Sequence, residues 1–177
     1  MSIYINVHRI IEKSRVNGPG IRSVVWTQGC SLHCEGCFNK ELQSFNMLNE
    51  IDVNELAENL AKIDNDGLTL SGGEPLDQKE AVNELIRRYK KLCDKTVFLF
   101  TGYNYNEIKI DKEKKCVLLS SDAALCGRYQ KGELWCGKEL IIVSGRISAD
   151  EIKANEQIEV IVNGDVADVT GYPHLQE

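Results

Sequence analysis

The sequence lacks long hydrophobic runs, an excess of basic residues and a signal-peptide pattern at its start. Its longest apolar runs, such as residues 140–143, are much shorter than the roughly 20 residues that a helix needs to cross a bilayer. Lys and Arg number 21 against 27 Asp and Glu, which gives a formal net charge of -6. Nucleic acids and membrane surfaces attract basic patches, so neither is an expected partner. These absences predict a cytoplasmic protein.

The chain also lacks internal repeats and low-complexity linkers. Its 177 residues, of which 42% are hydrophobic, suffice to bury one core. Residues 1–177 are therefore expected to form a single domain, in which one site carries the function.

Cysteine, by contrast, is present 7 times. An odd number of cysteines in a reducing compartment favours metal ligation or free thiols over disulfides. Cys30, Cys34 and Cys37 form a C-x3-C-x2-C pattern on one short segment. Three thiolates on such a loop can bind three irons of a cubic iron–sulfur cluster and leave the fourth iron open to a small molecule. The spacing therefore favours a cluster at which chemistry takes place.

Two alternatives to the cluster stay open on spacing alone. A structural zinc site usually takes four protein ligands, commonly two C-x2-4-C pairs or a Cys/His set, whereas this chain has one triplet with His33 inside it. Unrelated free thiols are the second alternative. The remaining cysteines have no close ligand spacing and are expected to be free thiols rather than ligands of an auxiliary cluster: Cys93, Cys116, Cys126 and Cys136.

Short apolar or β-branched segments bounded by Gly, Asn or charged residues predict strands. They lie at residues 3–11, 23–27, 68–71, 96–100, 116–119, 139–143 and 158–162. Asp52 with Glu55 predicts a capped helix that runs to about residue 63, and Asp77 with Glu80 predicts a second one. One apolar stripe at helical spacing predicts the buried face of the second helix: Val82, Leu85, Ile86, Tyr89 and Leu92.

The alternation of strands and helices predicts an α/β fold with a mostly parallel sheet. Ligand sites in such folds lie at the carboxyl ends of the strands. The cysteine segment, residues 72–74 and residues 101–102 each follow a predicted strand, so they are expected to meet at one mouth. About six strands after the first are too few for an eight-stranded barrel. The expected architecture is a partial open (βα)6-type barrel.

Several segments around the cysteines carry a specific resemblance. They are VNGPGIR (16–22), QGC (28–30), CEGCFN (34–39), GLTLSGGEPL (67–76) and TGY (101–103). With these segments the chain resembles the radical S-adenosylmethionine (SAM) activating enzymes, and most of all the anaerobic ribonucleotide reductase activating proteins. The match runs in order over roughly residues 3–110, and the partial barrel is also the fold of that family.

The resemblance implies the cofactors and the reaction. Cys30, Cys34 and Cys37 would bind a [4Fe-4S] cluster, with SAM chelating the fourth iron through its amino and carboxylate groups. One electron, delivered by a donor such as flavodoxin or ferredoxin, would cleave SAM to a 5′-deoxyadenosyl radical. The implied partner is a glycyl-radical enzyme, on which the radical abstracts hydrogen from a glycine. The resemblance indicates an anaerobic ribonucleotide reductase as that enzyme.

The resemblance also implies the SAM contacts. Gly72 and Gly73 would let the backbone pass close to the methionine moiety, and Glu74 would accept its ammonium through a charge-assisted hydrogen bond. Thr101 is expected to reach the adenosine. Asn39 is expected to form hydrogen bonds near the cluster.

The last third of the chain departs from the reductase activators. Their Asp-Gly-Arg/Pro-aromatic segment has Cys126 in the acidic position here, and their Arg-Gly-Ser-x-Asn-Gln element is replaced by WCGKE at residues 135–139. Two other functions therefore stay open: a radical SAM enzyme acting on a small molecule or peptide, like the carboxy-deazaguanine synthases, and a non-catalytic metal module. The resemblance further places the turn at residues 17–20 beside the cluster, with Arg22 as a candidate shield.

Overall fold

A seven-stranded sheet with parallel strands at its centre organises the chain. The computed structural model describes residues 2–130, 136–152, 158–163 and 166–171. The strands of this sheet are β1 (Tyr4–Ser14), β2 (Arg22–Thr27), β3 (Glu50–Asp52), β4 (Gly67–Gly72), β5 (Thr96–Thr101), β6 (Ala123–Cys126) and β7 (Glu139–Ile142). The helices are α1 (Val53–Lys62), α2 (Lys79–Leu92), α3 (Tyr105–Ile110), α4 (Lys112–Ser120) and α5 (Ala149–Ile152).

The strand order is β3-β1-β2-β4-β5-β6-β7. Neighbours among β2, β4, β5 and β6 pair in parallel, whereas β1 and β7 pair antiparallel to β2 and β6. The predicted α/β class with a parallel centre is confirmed. Within the described residues, the end strands β3 and β7 do not pair with each other, so the sheet is open.

The centre of the sheet is covered on both faces. Every residue of β2 is buried, as expected for a strand between two layers. The apolar stripe of α2 packs on the main core through Val82, Leu85, Ile86 and Tyr89. Leu92, predicted as part of that stripe, is instead 52% exposed, because it is the last residue of the helix.

The strand predicted at residues 116–119 is wrong, since these residues belong to α4. The Asp111 carboxylate accepts hydrogen bonds from the backbone N–H groups of Glu113 and Lys114 and so begins a helix there. Val117 and Leu118 bury one side of this helix. The strand in this region is β6, which follows the helix.

Of the two predicted helix caps, one is confirmed. The Asp52 carboxylate accepts from the backbone N–H groups of Asn54 and Glu55 at the start of α1. The predicted cap at Asp77 is wrong, because a short 3-10 helix (Pro75–Gln78) precedes α2 and Gln78 occupies the N-cap position without a side-chain bond. Asp77 is therefore available for other contacts.

The strand predicted at residues 158–162 is confirmed, but it lies outside the main sheet. β8 (Ile158–Asn163) and β9 (Val166–Gly171) form a separate antiparallel pair. This hairpin packs on the main sheet through Ile161, which contacts a core cluster on β1 and β2. Trp135 and residues 172–177 lie outside the described residues. No described helix is both long and apolar enough to cross a bilayer.

Candidate functional site

A cavity of about 360 Å³ lies at the carboxyl ends of the parallel strands. The loops that follow β2, β4 and β5 meet there, as the strand order predicts. Its walls include every residue that the sequence analysis predicted as a ligand of the cluster or as a contact near the cluster or SAM, leaving aside the turn at residues 17–20 and Arg22: Cys30, Cys34, Cys37, Asn39, Gly72, Gly73, Glu74 and Thr101. The cavity therefore brings the eight predicted ligand and contact residues together.

The three thiols differ in exposure. Cys30 is 8% exposed, whereas Cys34 and Cys37 are partly exposed. Burial raises the pKa of the Cys30 thiol, and hydrogen bonds from the backbone N–H groups of Leu32 and His33 act in the opposite direction. Among the described residues, no three His, Cys, Asp or Glu side chains are close enough to hold a single metal ion.

Backbone hydrogen bonds fix the start of the cysteine loop. The N–H groups of Gly29 and Cys30 donate to the carbonyls of Leu42 and Gln43, at 2.8 and 3.2 Å. The Gln28 side-chain amide donates to the carbonyl of Ser44 at 2.6 Å. The residues after the triplet therefore fold back under the loop and hold it against the end of β2.

Asp77 joins the cysteine loop to the other two loops. Its carboxylate accepts hydrogen bonds from the backbone N–H and the hydroxyl of Ser31, at 2.7 and 3.0 Å. It also accepts from the hydroxyl of Tyr103 at 2.9 Å. Sequence reasoning missed this role because the residue stands where a helix cap was expected. No local pattern connects a carboxylate to a serine 46 positions away.

Gly72 and Gly73 allow the loop after β4 to pack directly on the end of β2 and on the start of the cysteine loop. A Cβ at Gly73 would lie 2.2 Å from the Gly29 carbonyl oxygen, and one at Gly72 would lie 2.2 Å from the Thr27 backbone nitrogen. Gly72 also has a φ of 119°, which other residues rarely adopt. The close approach of protein backbone is enough to require glycine at both positions, whether or not SAM also contacts them.

Glu74 is the most buried acidic group of the cavity, with 1% of its surface exposed. Its Oε1 accepts from the Leu76 N–H and the Thr101 hydroxyl, at 2.9 and 2.8 Å. Its Oε2 accepts from the Gly102 N–H at 2.7 Å. Burial nevertheless raises the pKa of Glu74 to about 7. The carboxyl group thus ties the ends of β4 and β5 together.

Arg22 does not approach the cysteines, so its suggested role as a cluster shield is wrong. It lies at the opposite, amino edge of the sheet, where its guanidinium donates to the carbonyls of Leu68 and Thr96, each at 2.8 Å. The neighbouring turn does reach the cavity, which Asn17 lines. The Asn17 side chain also bonds Thr170 of the hairpin at 2.9 Å.

The divergent segment after β6 supplies cavity residues that the sequence analysis did not select. Tyr129, Gln130, Cys136 and Lys138 line the same cavity as the three cysteines. The ring of Tyr129 meets that of Phe38 edge-on, with centroids 5.1 Å apart. The sequence could have pointed to these residues because they lie in the segment that differs from the family pattern. Their side-chain direction depends on β7 returning antiparallel to β6.

The residues of this cavity fit an iron–sulfur cluster with one open position. Three thiols on one loop are suitable iron ligands, and the cavity continues from them past Gly73 and Glu74 to Thr101. A small molecule bound to the open iron would therefore lie against the loops after β4 and β5.

Comparison with known proteins agrees with this geometry. A family model described as a 4Fe-4S single cluster domain matches residues 16–139. The chain is 34% identical over 145 residues to the anaerobic ribonucleoside-triphosphate reductase-activating protein of Enterobacteria phage T4, which covers 76% of this chain and 90% of the relative. The protein of that name from Haemophilus influenzae is 32% identical, with 64% of this chain and 77% of the relative covered.

A second type of activator is also similar. The pyruvate formate-lyase-activating enzyme of Clostridium pasteurianum is 34% identical over 120 residues, which cover 64% of this chain and 50% of that enzyme. Fold, site and relatives together define an iron–sulfur activating enzyme. The chain belongs to the 4Fe-4S single cluster domain family, and within it to the anaerobic ribonucleoside-triphosphate reductase-activating proteins. The resemblance found in the motifs is confirmed, and so are the two cofactors that it implied, a [4Fe-4S] cluster and SAM.

Proposed function

We propose that this protein generates a glycyl radical on a partner enzyme, an anaerobic ribonucleotide reductase. The observation that carries the proposal is the cavity at which the cysteine triplet and the Gly72-Gly73-Glu74 loop meet, in a chain whose relatives are named as reductase-activating proteins. When bound, a reduced [4Fe-4S] cluster supplies the electron that cleaves SAM and releases a 5′-deoxyadenosyl radical.

We assign the cluster to Cys30, Cys34 and Cys37. Their position on one loop supports this assignment, because the hydrogen bonds to Leu42 and Gln43 and the contacts of Asp77 hold the loop in place. Leu32 and His33 N–H groups directed at Cys30 favour the thiolate form that binds iron.

We assign the methionine end of SAM to the loop after β4. An ionised carboxylate can accept about four hydrogen bonds. The Glu74 carboxylate accepts three from the protein, so it can accept one more, from the SAM ammonium. Gly72 and Gly73 contribute backbone at the cavity wall. Thr101 would border the adenosine while its hydroxyl holds Glu74, and Asn39 would contact SAM or the cluster from the cysteine loop.

The partner and the electron donor follow from the same site. The cavity opens to solvent beside the partly exposed Cys34 and Cys37, which suits the entry of a glycine-bearing loop from a glycyl-radical enzyme. An electron donor such as flavodoxin or ferredoxin would approach the exposed side of the cysteine loop. The net charge of -6 offers no support for a nucleic-acid partner.

We further infer that residues 1–177 form one domain built as a partial open (βα)6-type barrel in the cytoplasm. Four parallel strands with site loops at their carboxyl ends support the barrel. Contacts of Ile161 with the core cluster on β1 and β2, and of Thr170 with Asn17 in the turn between these strands, support a single domain. All 7 cysteines are free, which suits a reducing compartment.

Mixing the anaerobic holoenzyme with SAM, a reductant and its cognate glycyl-radical protein tests the function. We expect a carbon-centred doublet in the electron paramagnetic resonance spectrum of the partner, with 5′-deoxyadenosine formed in step. A partner whose radical-site glycine is replaced by alanine is the matched control and should give no doublet. Turnover of a small molecule or peptide, with no radical on any candidate partner, would support the carboxy-deazaguanine synthase-like alternative instead.

A further inference from the structure

Lys138 brings a positive charge to the cavity from a segment other than the cysteine loop and the loop after β4. It immediately precedes β7, whose first residue, Glu139, pairs with Cys126 at the end of β6. Because β7 runs antiparallel to β6, its start lies at the same edge of the sheet as the carboxyl ends of β2, β4 and β5. Lys138 therefore lies at the site because β7 runs antiparallel to β6.

The side chain of Lys138 lies in the same cavity as the thiols. Its Nζ donates a hydrogen bond to the Gly127 carbonyl at 2.6 Å, and the side chain lines the cavity together with Cys34 and Cys37. Burial lowers the pKa of Lys138 overall, and the nearby Glu74, Cys34 and Cys37 oppose this shift without cancelling it. No carboxylate forms an ion pair with Lys138 in the part of the chain that the structure describes.

The other cationic residue of the cavity wall is differently placed. Arg9 also lines the cavity, but its guanidinium stacks on the ring of Trp26, 4.4 Å from the centroid. Arg9 therefore lies on the part of the cavity wall that β1 and β2 form. Lys138, by contrast, lines the cavity near enough to Cys34 and Cys37 for their charges to oppose the lowering of its pKa.

We propose that Lys138 raises the reduction potential of the cluster bound by Cys30, Cys34 and Cys37. The potential of an iron–sulfur cluster depends on the charges, hydrogen bonds and solvent exposure around it. An added electron makes the cluster more negative, so a nearby ammonium stabilises the reduced form over the oxidised form. Partial burial strengthens this effect, because the surrounding medium screens the charge less than bulk water does. The proposal rests on the cluster assignment made above.

A redox titration of the reconstituted holoenzyme without SAM tests the proposal. The signal of the reduced cluster in electron paramagnetic resonance is followed against the applied potential. In Lys138→Gln, we expect the ratio of reduced to oxidised cluster at a fixed potential to fall about tenfold, which equals about 59 mV for a one-electron couple. Lys138→Arg keeps the charge and should stay within about twofold of the unchanged protein.

The matched control is Lys115→Gln, which removes the same charge from an exposed position on α4. It should leave the potential unchanged. An equal shift in both variants would overturn the proposal, since the effect would then come from net charge rather than position. An unchanged potential in Lys138→Gln would overturn it as well. So would loss of the cluster in both Lys138→Gln and Lys138→Met with retention in Lys138→Arg, because a residue that only tunes the potential is not needed for assembly.

Two further measurements separate this role from others. The dissociation constant of SAM for the oxidised holoenzyme should change less than about threefold in Lys138→Gln. A large loss of SAM affinity with an unchanged SAM-free potential would make Lys138 a SAM ligand and overturn the proposal. Iron and sulfide analysis of the unchanged protein tests the underlying site by itself, since zinc in place of iron would defeat the proposed function before any potential is measured.

Discussion

The two edges of the same parallel strands use their polar groups in opposite ways. At the amino edge, Arg22 is 1% exposed and its five N–H donors are all bonded, to Thr69, Pro19, Thr96 and Leu68. Asp122 beside it accepts from Val97 and Ser144 and pairs with Lys90. At the carboxyl edge, Cys34 and Cys37 are partly exposed and face an open cavity.

This difference separates stability from function. A buried group with every donor satisfied has nothing left to offer a ligand, so the amino edge serves to hold β2, β4 and β5 together. Thiols and a carboxylate that face a cavity retain unused bonding capacity. The sheet is thus built so that substitutions at one edge should change folding, and substitutions at the other should change cofactor binding.

The largest expected effect is at the carboxyl edge. Cys34→Ala should abolish cluster uptake and SAM cleavage while leaving the fold, because the half-exposed thiol has no structural task comparable to that of Arg22. Iron and sulfide analysis with circular dichroism measures both properties. Cys116→Ala, which removes an exposed thiol outside the cavity, is the control and should bind a full cluster. A complete cluster in Cys34→Ala would contradict the assignment.

The amino edge should show the reverse behaviour. Arg22→Met leaves the buried carbonyls of Pro19, Leu68 and Thr96 without their donors, and we expect it to lower the free energy of unfolding by at least about 3 kcal/mol. Urea denaturation of the apoprotein measures this loss. Arg87→Met, which breaks an exposed ion pair with Glu84, should cost less than about 1 kcal/mol. Similar losses in the two variants would remove the contrast between the edges.

Replacing the buried acid of the carboxyl edge should weaken SAM without removing the cluster. Losing one charge-assisted hydrogen bond costs about 1.5–3 kcal/mol, so Glu74→Gln should bind SAM roughly ten- to a hundredfold more weakly. Equilibrium dialysis with the oxidised holoenzyme gives the dissociation constant, and iron analysis checks the cluster. Glu80→Gln, at an exposed position in the first turn of α2, is the control. Unchanged affinity in Glu74→Gln would mean that its carboxylate holds only the protein.

The smallest effect concerns pH. Because burial raises the pKa of Glu74 to about 7, the carboxyl becomes neutral as the pH falls below 7 and loses its attraction for the SAM ammonium. The affinity for SAM should therefore decrease on acidification, by up to about tenfold per pH unit below 7. Measurements between pH 6 and 8 test this, and Glu74→Gln should give a flat profile. The same slope in both proteins would assign the titration to another group.

The fold was predictable where strands carry apolar or β-branched residues. β2, β4 and β5 lie close to their predicted positions, and their order brings the three loops to one edge. β6 was missed because its residues, Ala-Ala-Leu-Cys, carry little strand preference. The preceding Cys-Val-Leu-Leu run resembles a strand but is drawn into α4 by the Asp111 cap. The strand propensity of this run is outweighed by the helix cap and by the burial of one helix face.

The site was predictable where local sequence patterns and the order of the strands determine it. Cysteine spacing and the glycine-rich loop located most of the cavity wall in advance. The contact of Asp77 with Ser31 and the arrival of Lys138 depend on how distant segments meet, which no local pattern encodes. The need for Gly72 and Gly73 likewise comes from protein backbone, that of Thr27 at the end of β2 and that of Gly29 before the cysteines. A glycine pattern alone does not tell contact with a ligand from contact with protein.

The central claim is that the cysteine loop and the Glu74 loop form one site, in which SAM meets the cluster. Electron–nuclear double resonance on the reduced holoenzyme, with SAM carrying ¹⁵N at its amino group, tests it most directly. The account predicts a clear ¹⁵N coupling to the cluster, which should be lost when unlabelled SAM is in excess. A protein that binds both cofactors but shows no coupling between them would contradict the account.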